Sequence, residues 1–385
     1  MNIYIDGIIY SLQKSGGITR YTNELVAGLA NLGHKVVLLM HPNPQSRPPE
    51  HKNLEIIEFG SFLKGKSWVR KYIDYFFCKS QIKNYFKKHN IKDGVLHNTY
   101  LTYYKNLKIP QVMTIHDLTR EKFPNSFNYI KYKFVLLLTK KSTIKSDAII
   151  CVSEQTKKDL SEYYKINTNK TRVIHLGVNP AFKIKNQVEK DSFRLLKNLP
   201  KPYFLYVGTR ALYKNFTKFL EAYASWNKKD DFMLVAVGSG KFTSNELNFI
   251  EKLGIKNNII SFDFVSEEEL VMFYNCAEAF VFPSLSEGFG LPLLEAMACG
   301  TIVLASDIPV FREIADNIPY YFNPNNTESI LTILNDSLQR DQSRIDAGIE
   351  LVKKFSWKNT INETLKVYDK LLKQKSNLQS CLKYL

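Results

Sequence analysis

The strongest sign of chemistry in the sequence is a glycine-rich stretch, FPSLSEGFGLPLLEAMACG, at residues 282–300. Its start is typical of a buried strand, and Pro292 is predicted to occupy the first position of a helix. Gly288 and Gly290 lie in the intervening loop, where backbone N–H groups and the helix dipole favour an anion. Glu295 is predicted in the first helical turn, and a carboxylate there can accept hydrogen bonds from both hydroxyls of a ribose.

Two carboxylates in this stretch are candidates for ligand binding. Glu287 lies in the loop, eight residues before Glu295, and is predicted to face the ligand. The alternative is that Glu295 only complements the helix dipole and that Glu287 is solvated. A glycine-rich loop, a helix start and two carboxylates in one stretch favour the binding role.

A second stretch, YVGTRALYKN at residues 206–215, also follows a predicted strand. Gly208 allows the backbone to turn, and Arg210 and Lys214 are four residues apart. If Lys214 lies on a helical turn, both cations share one face and can bind a diphosphate. Alone, the pair could equally be two exposed basic residues, and its occurrence together with the 282–300 stretch favours the diphosphate.

Two further motifs follow predicted strands in the first half of the chain. Gly16 and Gly17, in SGGITR, permit close approach of a ligand to the backbone, but they do not form the GxGxxG pattern of nicotinamide-binding proteins. His116 and Asp117 end an apolar run and are therefore expected where ligands bind. A single histidine there is more often structural than catalytic, and its position after a strand favours function.

The sequence gives no indication of a resident metal or cofactor. It contains no Asp-x-Asp pair and no GxSxG, and its other histidines are scattered without metal-ligand spacing. Its five cysteines include no CxxC pair, which argues against a zinc site and a disulfide framework. We therefore expect no metal and no cofactor.

The predicted elements place these motifs at strand ends in two α/β units. Buried parallel strands are predicted at 2–6, 35–40, 54–59, 94–98, 111–116, 148–153 and 171–175, with an amphipathic helix at 19–32. After a polar stretch at 179–191, strands are predicted at 203–207, 232–237, 259–262, 279–282 and 302–305, with helices at 216–224 and 359–372. This alternation predicts two doubly wound domains, with ligands outside the carboxyl ends of their strands.

Composition limits the class of protein. The 385 residues, 44% hydrophobic and 23% charged, suit two globular domains rather than a disordered chain. No apolar run approaches the roughly 18 residues of a membrane span, and the start MNIYIDGIIY is typical of a strand rather than a signal peptide, so we expect a cytoplasmic protein. Lys and Arg number 53 against 37 Asp and Glu, and the net charge of +16 attracts polyanions.

Together these motifs resemble a retaining glycosyltransferase of the GT-B fold, family 4, over nearly the whole chain. The resemblance implies two Rossmann-like domains that face each other across a cleft. The acceptor domain would be 1–180, with the final helix of 359–385 packed back onto it, and the donor domain would be 190–358. The expected setting is surface polysaccharide or lipopolysaccharide assembly. The residues that carry the resemblance are Gly16-Gly17, His116-Asp117, VIHLGV at 173–178, Arg210 with Lys214 and, most specifically, Glu287-x7-Glu295.

The resemblance also implies a nucleotide-sugar donor and a role for each motif. Glu295 would hold the ribose and Glu287 the transferred sugar. Arg210 and Lys214 would bind the diphosphate, and His116 would line the reaction centre from the acceptor domain. The predicted catalytic residues are His116, Arg210, Lys214 and Glu287. The predicted donor-binding residues are Gly16, Gly17, Gly208, Arg210, Lys214, Val265, Glu287, Gly288, Phe289, Gly290, Leu291 and Glu295.

The resemblance implies transfer of a hexose with retention at the anomeric carbon, and the lack of metal-ligand motifs predicts that the reaction needs no metal. Breaking the bond to the diphosphate builds negative charge on the leaving oxygen, which the two cations and the helix N-terminus would stabilise. The sequence shows no clear nucleophile, so attack from the front face with the leaving phosphate as base is favoured. The 206–216 stretch resembles mannosyl- and rhamnosyltransferases, which favours GDP-mannose or a related GDP-sugar, and a UDP-sugar is the alternative.

A basic and aromatic segment at 62–92 is a candidate for membrane binding. It has nine Lys and Arg against Asp74 alone, interleaved with eight aromatic residues, and a similar stretch lies at 129–145. This pattern is typical of a peripheral helix on an anionic membrane, where a lipid-linked saccharide acceptor would be found. The alternative is that both are core-facing helices with solvated lysines.

Two other classes of protein fit the sequence less well. A basic nucleic-acid-binding protein would explain the net charge, but no nucleic-acid module is recognisable, and Glu287 and Glu295 would oppose phosphate. We therefore expect no nucleic-acid partner. A sugar-nucleotide epimerase or another dinucleotide enzyme would need the GxGxxG pattern that the first strand lacks.

Overall fold

Two compact α/β units make up the chain. The computed structural model describes residues 1–62, 68–127, 129–263 and 265–382. Met1–Glu121, Phe127–Gly177 and Trp357–Leu385 belong to the first unit, and Lys122–Ser126 with Val178–Ser356 belong to the second. The polar stretch that the sequence predicts as a linker is therefore part of the second unit. Part of the predicted basic segment, 63–67, lies outside the described residues.

Strands and helices alternate along the first part of the chain. In chain order they are β1 (Asn2–Asp6), α1 (Ile8–Leu12), α2 (Gly17–Asn31), β2 (Lys35–Met40), β3 (Leu54–Glu58), α3 (Trp68–Lys88), β4 (Val95–Asn98), β5 (Gln111–Ile115), α4 (Thr119–Lys122), α5 (Tyr129–Lys145), β6 (Ala148–Cys151), α6 (Glu154–Tyr164) and β7 (Thr171–Val173). The seven strands form one sheet in the order β3-β2-β1-β4-β5-β6-β7, and all neighbours are parallel.

The second unit repeats this plan. Its elements are α7 (Gln187–Leu196), β8 (Tyr203–Val207), α8 (Phe216–Ser225), β9 (Met233–Val237), α9 (Ser244–Lys252), β10 (Ile259–Phe262), α10 (Glu267–Cys276), β11 (Ala279–Phe282), α11 (Leu291–Ala298), β12 (Ile302–Ser306), α12 (Pro309–Ala315), β13 (Tyr320–Phe322), α13 (Thr327–Asp336) and α14 (Gln342–Val352). Its six strands run parallel in the order β10-β9-β8-β11-β12-β13. The final helix, α15 (Trp357–Leu382), belongs to the first unit.

The strand orders confirm the predicted class of two doubly wound, Rossmann-like units. In each sheet the order runs outward from the first strand in one direction, then restarts on its other side, between β1 and β4 and between β8 and β11. Ligands of such sheets bind beyond the carboxyl ends of the strands at this reversal point. The fold therefore marks one place in each unit where function is expected.

β13, α7 and the final helix differ from the sequence prediction. β13 has only three residues, too few to show a periodic pattern. α7 begins inside the stretch predicted as a polar linker, because Asn186 and Glu189 form a capping box around its start. The final helix, predicted at 359–372, extends over Trp357–Leu382.

α3 carries an apolar stripe that faces the core. Cys78, Ile82 and Phe86 recur every four residues and pack against Tyr4 and Leu96 of the first sheet. The inner side of this helix is therefore ordinary core, as one of the two alternatives for the basic segment predicts. On its other sides, Lys83, Lys87 and Lys88 are exposed.

α15 is held to the first unit by a close helix contact and a buried hydrogen-bond chain. A Cβ atom at Gly28 of α2 would lie 1.9 Å from Cδ1 of Ile361, so glycine permits the two helices to approach. Tyr368 of α15 hydrogen-bonds through its hydroxyl to His97 Nδ1. His97 Nε2 lies 2.8 Å from the Thr114 hydroxyl, which lies 2.9 Å from the hydroxyl of Tyr21.

We expect this buried histidine to make the stability of the protein fall in mild acid. Burial, with a smaller effect from His116, lowers the pKa of His97 to about 3. An unfolded histidine has a pKa of about 6.5. Below that pH the unfolded chain therefore binds a proton at this residue, whereas folded His97 stays neutral until the pH approaches its own lower pKa. Stability from His97 is thus complete above about pH 6.5 and is lost toward pH 3, by about 2 kcal/mol between pH 7 and pH 5.

Urea unfolding at a series of pH values measures this effect. His97→Gln keeps a polar side chain but cannot titrate, so its free energy of unfolding should depend less on pH by the same amount. An equal slope for both proteins would show that His97 does not couple folding to proton uptake.

Candidate active site

Two loops lie side by side at the carboxyl ends of β8 and β11. The β8 loop (208–215) and the β11 loop (283–290) follow strands that are neighbours at the reversal point of the second sheet. The backbone N–H of Leu285 donates to the carbonyl of Tyr213 over 2.8 Å, which ties the loops together. The two strongest motifs of the sequence, more than 70 residues apart, therefore meet where this fold binds ligands.

Lys214 and Glu287 form an ion pair between the two loops. Lys214 Nζ lies 2.6 Å from Glu287 Oε1, and the two side chains are 15% and 14% exposed. Lys214 ends a 3₁₀ turn, and its ammonium lies 5.5 Å from the centre of the Phe282 ring. Chemically, a diphosphate can replace the carboxylate beside Lys214, and sugar hydroxyls can bind the carboxylate that is released.

Arg210 is bound by α9 and by the loop before it. Its Nε and Nη2 donate to the Glu246 carboxylate at 2.6 and 3.3 Å, and its side chain is 4% exposed. Its Nη1 and Nη2 donate to the carbonyls of Gly240 and Lys241 at 3.2 and 3.0 Å. Burial opposes ionisation of Glu246, but hydrogen bonds from Arg210 and Thr243 lower the pKa of Glu246 overall. Arg210 therefore holds the loop after β9 in place.

Arg210 and Lys214 are not arranged as the sequence predicts. The spacing of Arg210 and Lys214 predicts that they share one face of a helical turn. In the structure Arg210 precedes the 3₁₀ turn that contains Lys214, and each cation has a different carboxylate partner. Their joint role at a diphosphate stays a prediction.

Glu295 is buried and lies beyond the first turn of its helix. α11 begins at Leu291, so Glu295 is its fifth residue and Pro292 its second. Both positions differ from the prediction because the helix begins one residue earlier than the sequence indicates. Glu295 is 3% exposed, and the Tyr274 hydroxyl donates to its Oε2 over 3.2 Å. Tyr274, which the sequence analysis missed, thus orients the Glu295 carboxylate.

The start of α11 suits an anion. Gly290 precedes the helix with a φ of +107°, and a Cβ atom there would lie 3.1 Å from Cε1 of Phe311. Gly290 has no side chain to cap the first N–H groups of the helix, which keeps them suited to phosphate oxygens.

The other predicted donor-binding residues of the second unit differ in exposure. Gly208 follows β8, and its N–H donates to the Val237 carbonyl over 2.9 Å. Phe289 is 4% exposed and packs edge-on against Phe355, with ring centres 5.9 Å apart. Gly288 and Leu291 are also buried, whereas Val265, just before α10, is half-buried. The buried apolar members therefore stabilise the loop through packing.

His116 lies in the first unit and is neutral. It follows β5, and its Nε2 donates to the Thr99 carbonyl over 3.1 Å. Because a carbonyl only accepts, Nε2 carries the proton and Nδ1 keeps its lone pair. Burial lowers the pKa of His116 to about 4, against smaller opposing effects of Thr99 and Asp117. The Tyr21 ring packs edge-on against it, with centres 4.9 Å apart.

Gly16 and Gly17 also lie in the first unit. Gly17 begins α2, and a Cβ atom at this position would meet no atom within 4 Å. Gly16 immediately precedes the helix. The predicted site residues are thus divided between the units, with Gly16, Gly17 and His116 in the first and the rest in the second.

The structure adds Glu246 and Tyr274 to the site. The capping box formed by Thr243 and Glu246 is visible in the sequence, but the contact of Glu246 with Arg210 joins residues 36 positions apart. No local pattern reveals such a contact. Within the part of the chain that the structure describes, no group of three or more His, Cys, Asp and Glu is arranged to hold a metal ion.

Comparison with known proteins gives a family for each half of the chain. Residues 15–182 match Glycosyltransferase Family 4, and residues 187–350 match Glycosyl transferases group 1. An uncharacterized glycosyltransferase of Methanocaldococcus jannaschii, MJ1178, is 30% identical over 274 residues, which cover 69% of this chain and 70% of that protein. The chain belongs to glycosyltransferase family 4. The predicted family is confirmed.

A second relative of this glycosyltransferase carries a more specific name. The O-antigen chain mannosyltransferase RfbU of Salmonella typhimurium is 32% identical over 219 residues, which cover 57% of this chain and 58% of RfbU. The chain spans only 45–61% of the length of the first curated relatives that it matches.

A solved structure shows the same fold. Sucrose-phosphate synthase from Thermosynechococcus elongatus matches with a TM-score of 0.81 at 20% identity, over 97% of this chain and 99% of that one. At this identity the likeness establishes the fold, which is the GT-B arrangement of two Rossmann-like units.

We expect Glu295→Gln to weaken binding of a nucleoside diphosphate by about 1–3 kcal/mol, because ribose hydroxyls lose a charged acceptor. Gln keeps the volume of the buried side chain and an oxygen for Tyr274, so the fold should be retained. Calorimetry with GDP, UDP and inorganic diphosphate measures the effect. The affinity for inorganic diphosphate, which has no ribose, should not change. An equal loss for all three ligands would contradict a ribose-binding role.

Proposed function

We propose that this glycosyltransferase moves a hexose from a nucleotide-sugar to a saccharide or lipid-linked saccharide, with retention at the anomeric carbon and without a metal. The observation that carries the proposal is the Lys214–Glu287 pair, which joins the β8 and β11 loops at the reversal point of the second sheet. In this pair, a cation that can bind a diphosphate lies beside a carboxylate that can accept hydrogen bonds from a sugar. The setting is the assembly of a surface polysaccharide, in keeping with the name of the RfbU relative.

GDP-mannose is the proposed donor, and its support is the likeness to a named mannosyltransferase. Glu295 accepts hydrogen bonds from the ribose, and Glu287 from the transferred sugar. A UDP-sugar is the second candidate, because a ribose and a diphosphate are common to both donors.

The proposed chemistry depends on stabilising the leaving group. As the bond from the anomeric carbon to the phosphate oxygen breaks, negative charge grows on the diphosphate and positive charge on the sugar. Lys214 and the N-terminus of α11 stabilise the diphosphate, and Arg210 positions the neighbouring loop. The acceptor hydroxyl attacks from the same face, its oxygen bonds to the anomeric carbon, and its proton passes to the leaving phosphate oxygen.

We expect transfer from GDP-mannose to continue in EDTA, and we expect Lys214→Ala to slow turnover by about 10²–10³-fold because a charge that stabilises the transition state is lost. Product formation is measured with GDP-mannose, UDP-glucose and UDP-galactose on one saccharide acceptor. Thermal unfolding with the same sugars gives the donor preference, since a ligand at 100 times its Kd stabilises by about 2.7 kcal/mol.

A matched control exists in α8. Lys218→Ala also breaks a Lys–Glu pair, because Lys218 Nζ lies 3.0 Å from Glu221, but it lies outside both loops. Its turnover should equal that of the parent. A saturable requirement for Mg²⁺ or Mn²⁺ would overturn metal independence, and full activity of Lys214→Ala would overturn the role of the pair.

We also propose that α3 and α5 bind the anionic face of a membrane, on its cytoplasmic side. The rings of Phe76 and Phe134 meet edge-on with centres 6.0 Å apart, so the two helices lie together. Phe76 and Leu137 are 53% and 68% exposed, so apolar side chains of both helices reach the surface here. We call the exposed surface here the α3–α5 face; it consists of Ile73, Phe76, Lys83, Lys87, Lys88, Lys133, Leu137, Lys140 and Lys141.

Peripheral binding fits the form of this face. Exposed apolar side chains enter the headgroup region, while surrounding lysines attract anionic lipids, each by about 1 kcal/mol near the surface. In the described ranges, 1–62, 68–127, 129–263 and 265–382, no helix combines the length and apolarity that a membrane crossing demands.

We expect Lys83, Lys87 and Lys88, changed together to Gln, to reduce cosedimentation with phosphatidylglycerol vesicles at low salt. High salt should reduce binding of the parent, because exposed charges are screened over about 8–10 Å. Gln at Lys228, Lys252 and Lys256, exposed lysines of the second unit, removes the same charge and serves as control. Equal loss in both triple variants would show that only net charge attracts the protein to lipid.

A further inference from the structure

The reversal point of the first sheet carries a buried polar cluster that the proposed donor chemistry does not use. Asp6 ends β1 and is fully buried. His41 Nε2 lies 3.1 Å from its Oδ1, and the backbone N–H of Ile8 donates to the same oxygen over 2.9 Å. The hydroxyl of Tyr104 donates to its other oxygen. Burial opposes ionisation of Asp6, but these partners, His41 foremost, lower its pKa overall. The Asp6 carboxylate therefore already has partners inside the protein on both of its oxygens.

Lys79 of α3 lies beside this cluster in an unusual environment. Its ammonium is 5.6 Å from the ring centre of Tyr75 and 5.6 Å from that of Tyr104, and its side chain is half-buried. Within the described residues, none accepts a hydrogen bond from it or pairs with it. Burial lowers the pKa of Lys79, which the Asp6 charge opposes, and Lys141 and Lys83 lower it further by repulsion. An anion beside Lys79 would relieve this repulsion.

Tyr75 supplies a hydrogen-bond donor at the same place. Its side chain is 8% exposed, and its hydroxyl has no hydrogen-bond partner among the described residues. Buried hydroxyls are almost always paired, so an unpaired one indicates a position that a ligand or water completes. A phosphate oxygen accepts hydrogen bonds both from a hydroxyl and from an ammonium.

The neighbours of this pair set its place in the first unit. On one side, the Thr99 hydroxyl donates to the Asp6 carbonyl over 3.2 Å, and the Thr99 carbonyl accepts from His116. On the other side, the Tyr75 ring contacts that of Phe76, a member of the exposed α3–α5 face, with centres 5.2 Å apart. Hydrogen bonds through Asp6 and Thr99 thus connect this cluster to the predicted reaction-centre histidine, and Tyr75 adjoins a residue of the apolar surface.

We infer that Lys79 and Tyr75 bind a phosphate of the acceptor, which is a saccharide joined through phosphate or diphosphate to an apolar chain. The inference depends on how these groups match the parts of such an acceptor. His116 would lie beside the sugar, Lys79 and Tyr75 would bind the phosphate, and the α3–α5 face would contact the apolar chain. The identity of the ligand as an acceptor rests on the proposed function. The anion site rests only on the geometry of the first unit.

Farnesyl diphosphate tests the site, because it joins an apolar chain to a diphosphate. The full-length protein is first saturated with GDP, so that the diphosphate site of the second unit is occupied, and farnesyl diphosphate is then titrated by calorimetry. We expect Lys79→Gln to raise its Kd by at least about tenfold and Tyr75→Phe by about threefold, as an ionic and a neutral hydrogen bond are lost. Lys79→Arg should restore much of the affinity.

Lys105→Gln is the matched control, because Lys105 is an exposed lysine adjacent in the chain to Tyr104. Its Kd should equal that of the parent. Equal weakening in Lys105→Gln and Lys79→Gln would show attraction to net charge and would overturn the site. Unchanged Kd in both Lys79→Gln and Tyr75→Phe would also overturn it. Tyr75→Phe removes only an unpartnered hydroxyl, so it remains informative if Lys79→Gln does not fold.

Two further arms distinguish the sources of the phosphate. Cosedimentation with phosphatidylglycerol vesicles should be the same for Lys79→Gln and the parent; loss of vesicle binding with unchanged farnesyl diphosphate binding would assign Lys79 to a lipid headgroup instead. Inorganic diphosphate should bind more weakly than farnesyl diphosphate, because it lacks the chain. All these measurements are made without turnover, so failure of GDP-mannose transfer does not affect them.

Discussion

The reversal of strand order in a parallel sheet is the constraint on which the functional features of this protein depend. At the reversal point two neighbouring strands send their loops to opposite sides, and a gap opens beyond their carboxyl ends. In the second unit this gap lies between β8 and β11, and the β8 and β11 loops border it. In the first unit it lies between β1 and β4, where Asp6 and Thr99 are found. The same physical rule thus creates both candidate sites.

Charge compensation distinguishes the cations at these sites. Arg210 is nearly inaccessible, and a carboxylate and backbone carbonyls bind its guanidinium. Lys214 is paired with Glu287, which lies in the neighbouring loop. Lys79 is held by aromatic rings instead. Because desolvation of an ammonium is costly, a phosphate that binds beside Lys214 or Lys79 would compensate a charge that is partly removed from water.

α3 shows how one helix can serve two purposes. Its apolar stripe packs on the first sheet, and its outer surface presents lysines and aromatic rings. The two alternatives for the basic segment are therefore compatible, since each describes a different side of the helix. Lys79, between these sides, belongs to neither, and this position is what separates it from the solvated lysines around it.

The sequence by itself determined the parts of this protein that follow from local patterns. Buried strands, the glycine-rich loop before α11 and the doubly wound class all follow from periodicity and from the residues at strand ends. The start of α11 was misplaced by one residue and α7 was missed, because helix ends depend on capping and neighbouring contacts. Only the tertiary structure decided the pairings: Lys214 with Glu287, Arg210 with Glu246, and Lys79 with Tyr104. Most of these contacts join residues distant in the chain, and local propensity carries no information about which distant side chains a sheet brings together.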